Sequence, residues 1–315
     1  MPIGAKGLRL IEPHRYGCER PSAFARHLFL LLDNLNLSRS WLQASPLALI
    51  LGVFLLVPIA TILVVTFWDY DQTSLIPDFV LSNYEELLFS NVTWRTYLST
   101  LRFAALTWAL TLTIGFTVAY FLAFHVRTAL WQMVLFQLCA VPFLTSNIIR
   151  MISWIPFLGR NGLLNGALRS LGLTDHPLEF LLFSDFAVIL AFTHLYTLFM
   201  VVPIFNTMLR IDHSLLEAAR DLGAGGLRIL ANVIIPMALP GIAIGSIFVV
   251  TLVMGDFITV RLMSGGQSAS VGVMMSNQTS LLQYPAAAAN AVVLLVIVLM
   301  MVWMILRVVD IRKEL

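Results

Sequence analysis

Charge is what this sequence has least of. Only 11% of its 315 residues are charged, against about a quarter in an ordinary soluble domain. At the same time 59% are hydrophobic, and mean hydropathy is +0.89. So few ionic groups cannot cover a water-facing surface, and the chain reads as an integral membrane protein. Lysine is scarcer still, present only as Lys6 and Lys313. Neither is followed by Ser or Thr, which excludes the phosphate-binding loop G-x-x-x-x-G-K-S/T; any ATP used must be bound by another subunit. The two cysteines, Cys18 and Cys139, are too few for a disulfide framework or a zinc site. A net charge of +2 with no basic run gives no footprint for nucleic acid. There is no G-x-S-x-G, no H-E-x-x-H and no pair of acids inside an apolar run, so an intramembrane enzyme lacks its nucleophile and base. A self-sufficient secondary transporter would show internal repeats and midplane ionisable residues, and no repeat is visible.

What the sequence has in abundance is long apolar runs. They predict six transmembrane helices at about 46–67, 98–125, 129–150, 184–208, 234–257 and 286–308, each able to cross about 30 Å of hydrocarbon with its backbone hydrogen bonds satisfied internally. Residues 1–45 form a polar tail in which Phe24, Leu28, Leu31, Leu32 and Leu35 recur at helical spacing, as in an amphipathic helix lying in the membrane interface. Its acids Glu12, Glu19 and Asp33 argue against a cleavable signal peptide. The expected fold class is an all-α membrane protein of six spans.

Six spans place both termini on one side. That side gathers the six cations of the tail, Arg127, Arg210, Arg220, Arg228, Arg307, Arg312 and Lys313, against Arg95, Arg102, Arg150, Arg160, Arg169 and Arg261 opposite. By the positive-inside rule the termini are cytoplasmic. Trp68, Tyr70, Trp94, Tyr97 and Trp154 in the two long outer loops suit the headgroup belt.

The cytoplasmic loop 209–233 is the most polar stretch after the tail. It reads as two short helices with a turn: Ser214 is expected to cap the first, with Glu217 three residues on, and Leu215, Ala218, Ala219 and Leu222 give it an apolar face. Gly223, Gly225 and Gly226 then allow it to end. Such a helix suits docking into a groove of a soluble partner. Here the sequence resembles the membrane subunits of bacterial ATP-binding-cassette importers, whose signature is E-A-A, three residues, G, nine residues, then I-x-L-P. Glu217-Ala218-Ala219, Gly223 and Val233-Ile234-Ile235-Pro236 keep that spacing, with Val233 and Ile235 as conservative departures. The resemblance covers about residues 46–310 and implies the type I importer permease fold, with an amphipathic helix preceding it.

The resemblance also implies a mechanism: this loop is a coupling helix that inserts into a cytoplasmic ATPase. Glu217 would be the charged contact, Ala218 and Ala219 the close-packed face and Gly223 the corner, with Arg220 and Asp221 contributing. The implied assembly has two ATPases, a second permease subunit that is a homologous heterodimer partner, and an extracytoplasmic solute-binding protein, in a bacterial inner membrane. ATP and Mg belong to the ATPase, and this chain binds no cofactor or metal of its own.

A second resemblance is to permeases for spermidine and putrescine. It rests on Gly255-Asp256-Phe257, on Gly265-Gly266 with Gly272 six residues after the second, and on Asn161-Gly162-Leu163-Leu164-Asn165. The resemblance implies a polyamine as cargo; Val260 and Arg261 stand where such permeases carry proline and aspartate, and a cation in place of an acid speaks for the alternative, another small cationic, zwitterionic or phosphonate solute. Independently, Asp256 near a membrane boundary marks a pathway or a helix end, and it either attracts an ammonium group or pairs with Arg261. Asn147, His194 and Asn206 are further candidates for the path. Arg102, Thr145, Ser146, Arg150 and Asn290 are other polar groups within or beside spans.

Overall fold

A computed structural model describes residues 45–71 and 74–309. The tail expected to form an interfacial helix over 1–45 lies outside the described residues, Ser45 excepted. The chain divides after Ala60 into two units. In the first, residues 45–60 are exposed and apolar and form most of helix α1 (Ser45–Val65).

The second unit carries a short hairpin, β1 (Asp69–Tyr70) against β2 (Leu75–Ile76), and then α2 (Ser82–Phe89), α3 (Asn91–Phe124), α4 (Ala129–Ala140), α5 (Asn147–Leu158) and α6 (Leu163–Ser170). After these come α7 (Asp185–Met208), α8 (His213–Asp221), α9 (Gly226–Gly255), α10 (Ile258–Ser264), α11 (Val271–Ser280) and α12 (Tyr284–Val308). Among the described residues five helices, α1, α3, α7, α9 and α12, are long and apolar enough to span a bilayer, or six spans if the bent pair 129–144 and 147–170 counts as one.

That pair is the main departure from the expected spans. A continuous helix over 129–150 is not formed: a 3-10 turn Val141–Leu144 follows α4, and the axis turns by 89° before Asn147. Pro142 supplies no backbone donor, and Thr145 adopts an extended conformation that interrupts the hydrogen-bond ladder. The fifth helix also begins earlier than expected, at Gly226, so the loop 209–233 gives its last eight residues to α9. Two π-turns, Gly52–Leu56 and Leu230–Ile234, stand just before Pro58 and Pro236. A proline ring clashes with the carbonyl four residues back, Phe54 or Asn232 here, and a widened turn relieves that clash.

Helices α3, α7 and α9 form the core around Met200, Ile204 and Phe192, all fully buried. α9 approaches α7 so closely at Gly241 that a Cβ there would stand 2.6 Å from the Pro203 carbonyl oxygen and 2.9 Å from the Ile204 Cα. Small residues permit such approach where no hydrophobic effect drives helices together. Many polar side chains in these helices are satisfied locally or across the bundle, although the Thr107 hydroxyl on α3 is buried without a partner. Thr111, Thr193, Thr197 and Thr207 donate to carbonyls four residues back, and the Trp108 indole donates to Ser246 Oγ at 2.8 Å. Tyr97, expected in the headgroup belt, is instead buried at 4% exposure, and its hydroxyl donates to the Asn290 carbonyl oxygen on α12 at 3.1 Å. Asn290 also donates to Gln278 Oε1 and the Ala286 carbonyl, which occupies it structurally.

Candidate functional site

Two places carry the residues singled out in the sequence. The first is the connection between α7 and α9. Its helix is capped two residues earlier than expected: Asp212, not Ser214, is the cap and accepts from the Ser214 backbone N–H at 2.9 Å, and the helix begins at His213. That bond, with a further one from the Ser214 side chain, holds the Asp212 carboxyl below the usual aspartate range. The His213 ring meets Phe124 at the end of α3 edge-on, with centroids 6.1 Å apart.

At the other end the chain reverses in a Schellman turn. Gly223 N–H donates to the Arg220 carbonyl (2.8 Å) and Ala224 N–H to the Ala219 carbonyl (3.0 Å), with Gly223 at φ +80°. This left-handed conformation is strained for any residue with a Cβ. Nothing lies within 4 Å of where that Cβ would be, so the demand for glycine at 223 is conformational alone.

The expected apolar face splits in two. Ala219 is half-buried against the chain's own core beside Leu216, which the expected face did not include and which is buried, whereas Leu215, Ala218 and Leu222 face away from it. Leu222 is 89% exposed, and Leu227, at the start of α9, is 84% exposed. Glu217, Arg220 and Asp221 are exposed beside them. The segment is therefore a rigid, doubly capped helix that presents bare leucines and a carboxylate.

The second place is a cavity of about 380 Å³ bounded by the broken third span and the end of α9, with Asn147, Tyr196, Gly255, Asp256 and Thr259 in its wall. Asp256 follows the last residue of α9. Its Oδ2 accepts from the Tyr196 hydroxyl (2.7 Å) and from Thr259 Oγ1 (2.6 Å), and its Oδ1 accepts from the Thr259 backbone N–H (2.9 Å) at the start of α10. The expected alternative, a pair with Arg261, is not formed: among the described residues the ion pairs are Arg102–Asp185 and Arg160–Glu179. Asn147 opens α5 on the other wall, so a helix N-terminus faces a helix C-terminus that carries a carboxylate.

Of the four path candidates, the fold brings Asn147 and Asp256 into one cavity. His194 lies elsewhere, with its Nδ1 accepting from the Trp154 indole at 3.1 Å, and it lines two neighbouring cavities of about 420 and 300 Å³. Trp154, expected at the headgroups, is half-buried there. Asn206 is exposed near the end of α7 and joins neither group. Tyr196 and Thr259 escaped the sequence reading, although Thr259 stands three residues after Asp256, where an aspartate cap finds its donor. Asn165 of the Asn161–Asn165 motif clamps the outer loop, bonding both to the Gly159 carbonyl and to the Leu178 backbone. Gly265 and Gly266 form the turn after α10.

Residues 112–311 match the family described as binding-protein-dependent transport system inner membrane component. The chain is 32% identical over 270 residues to the spermidine/putrescine transport system permease protein PotB of Escherichia coli (strain K12), covering 84% of this chain and 97% of that one. It is 30% identical over 295 residues to the inner membrane ABC transporter permease protein YdcU of the same organism, covering 89% and 90%. A bacterial alginate ABC transporter, crystallised in complex with a periplasmic protein bound to an alginate pentasaccharide, superposes with a TM-score of 0.69 at 16% identity, over 86% of this chain and 94% of that chain.

Proposed function

The chain belongs to the family of binding-protein-dependent transport system inner membrane components, as a non-catalytic, multi-pass permease subunit of a type I ATP-binding-cassette importer, and on that premise we propose how it is coupled and what it carries. Helix α8 is the element that docks into a cytoplasmic ATPase. The observation that carries this is the pair of caps, Asp212 and the Gly223 turn, around a helix whose Leu222 is bare beside Glu217, Arg220 and Asp221. A helix clamped at both ends transmits a push without melting, and exposed leucines gain about 1.5–3 kcal/mol each when a partner buries them. ATP and Mg are bound by that ATPase, and the docking side, together with both termini, is cytoplasmic.

The second membrane subunit is a homologue that completes the path, and an extracytoplasmic binding protein delivers the cargo. That cargo is a small aminated solute, and the identity to PotB supports a polyamine such as spermidine or putrescine. The physical support is Asp256, a hydrogen-bonded carboxylate on the wall of a cavity of about 380 Å³ at a helix C-terminus, an arrangement that attracts an ammonium group.

Leu222→Asp tests the coupling. It leaves α8 capped and touches no buried atom, so the permease is expected to insert and pair normally while ATP-driven uptake falls at least tenfold. Wild-type uptake in this variant removes the docking assignment.

A further inference from the structure

One cationic side chain has no counterpart in the path described so far. Arg150 lies in the first turn of α5 and is 8% exposed. Its Nη2 donates to Asn147 Oδ1, and the face of the Phe143 ring lies 4.9 Å from its guanidinium carbon. Its Nε and Nη1 are buried with no hydrogen-bond partner, and no described carboxylate pairs with it. A buried guanidinium with unused donors is costly, and one ring face with one amide oxygen offsets only part of that cost. Donors left in this state are complementary to an acidic group.

Arg150 forms the wall of the cavity of about 300 Å³ with Trp154, Phe157 and His194. Because His194 Nδ1 accepts from the Trp154 indole, the neutral imidazole carries its proton on Nε2 and presents a second donor. The N-terminus of the broken half-helix α5, with amides that lack helical partners, adds positive potential on the same element. Asn147 joins this site to the previous one, since it lines the Asp256 cavity while its side chain accepts from Arg150.

We propose that Arg150 and His194 form a subsite for an acidic group beside the Asp256 subsite for an ammonium group, so that the permease takes, besides a polyamine, small zwitterions with an amine and a carboxylate or phosphonate on a short chain. This deepens the permease reading and rests on it. The same donors would suit a lipid phosphate, and the test separates the two sources.

The experiment measures equilibrium binding of radiolabelled 2-aminoethylphosphonate and putrescine to the detergent-solubilised permease–ATPase complex, without the binding protein. Wild-type complex is expected to bind 2-aminoethylphosphonate. Arg150→Gln should weaken that binding at least tenfold while leaving putrescine binding unchanged or tighter, and Asp256→Asn should weaken both. Arg150→Lys keeps the buried charge but loses the planar fork, and it should show a smaller loss of the same selectivity, which keeps the test open if the Gln variant does not fold. Wild-type binding of putrescine alone overturns the proposal, as does an equal loss of both ligands, or of neither, in both Arg150 variants. In nanodiscs, competition by phosphatidylglycerol against 2-aminoethylphosphonate would assign the donors to a lipid headgroup and overturn the cargo assignment. ATP-dependent uptake by the complete wild-type complex in proteoliposomes is scored separately: its absence for every aminated solute defeats the permease reading, whatever Arg150 does.

Discussion

The Tyr196 hydroxyl donates a 2.7 Å hydrogen bond to Asp256 Oδ2, tying the middle of α7 to the end of α9 across 60 residues of sequence. With Thr259 supplying two more bonds, this fixes the carboxylate on the cavity wall and lowers the cost of keeping an ionised group there. A hydrogen bond to a charged group contributes about 1.5–3 kcal/mol.

Asp256→Asn removes the charge and should reduce ATP-dependent uptake in membrane vesicles by roughly 10- to 100-fold, the equivalent of that energy. Tyr196→Phe leaves Thr259 in place and should cost about tenfold or less. Unchanged uptake in Asp256→Asn would mean that the carboxylate serves only to start α10.

Gly223 separates conformation from space. Because nothing lies within 4 Å of a Cβ at this position, the penalty of Gly223→Val comes from φ +80° alone, roughly 1–2 kcal/mol. Asparagine tolerates this region, so Gly223→Asn should retain most uptake while Gly223→Val loses it. Equal behaviour of the two variants contradicts the role of the turn, read as cargo-stimulated ATP hydrolysis in proteoliposomes.

At Gly241 the reverse holds. A methyl group there meets backbone of α7 at 2.6 and 2.9 Å, neither of which can move aside as a side-chain end would. Gly241→Ala should destabilise the bundle by about 1–3 kcal/mol. Gly166→Ala, in open space, should not. Thermal unfolding in detergent compares them, and a midpoint for Gly241→Ala equal to wild type would contradict the close approach of α7 and α9.

Asp212 gives a pH dependence of known sign. Its folded carboxyl titrates below the usual aspartate range because it accepts from Ser214. The cap therefore stabilises α8 fully above the ordinary aspartate value and is lost only as pH falls through the lower folded value. Hydrogen exchange of residues 213–221 should be protected alike at pH 5 and pH 8 once corrected for intrinsic rates. Asp212→Asn should preserve that protection and Asp212→Ala reduce it, since asparagine caps as well as aspartate. Equal protection in Asp212→Ala would show that the cap does not hold the helix.

The apolar runs determined that the chain lives in a bilayer, because a run of about 20 such residues needs no tertiary partner to be stable there. The spacing from Glu217 to Gly223 likewise placed helix α8 and its closing turn, though not its cap, since Schellman turns are made by residues within one turn of each other. Even the break at Asn147 left a local trace, Pro142 followed by Thr145-Ser146-Asn147, within a run whose hydrophobicity masked it. What only the tertiary structure decided was which distant groups meet. Asp256 took the distant Tyr196 rather than the expected Arg261, Tyr97 left the headgroups for Asn290, and Arg150 was buried with two donors unused. The physical reason is that inside a membrane every helix is apolar, so hydrophobic pattern cannot specify which faces pack together. That choice falls to close approach at small residues such as Gly241 and to the few polar groups that must find partners, and both depend on the assembled bundle rather than on neighbours in sequence.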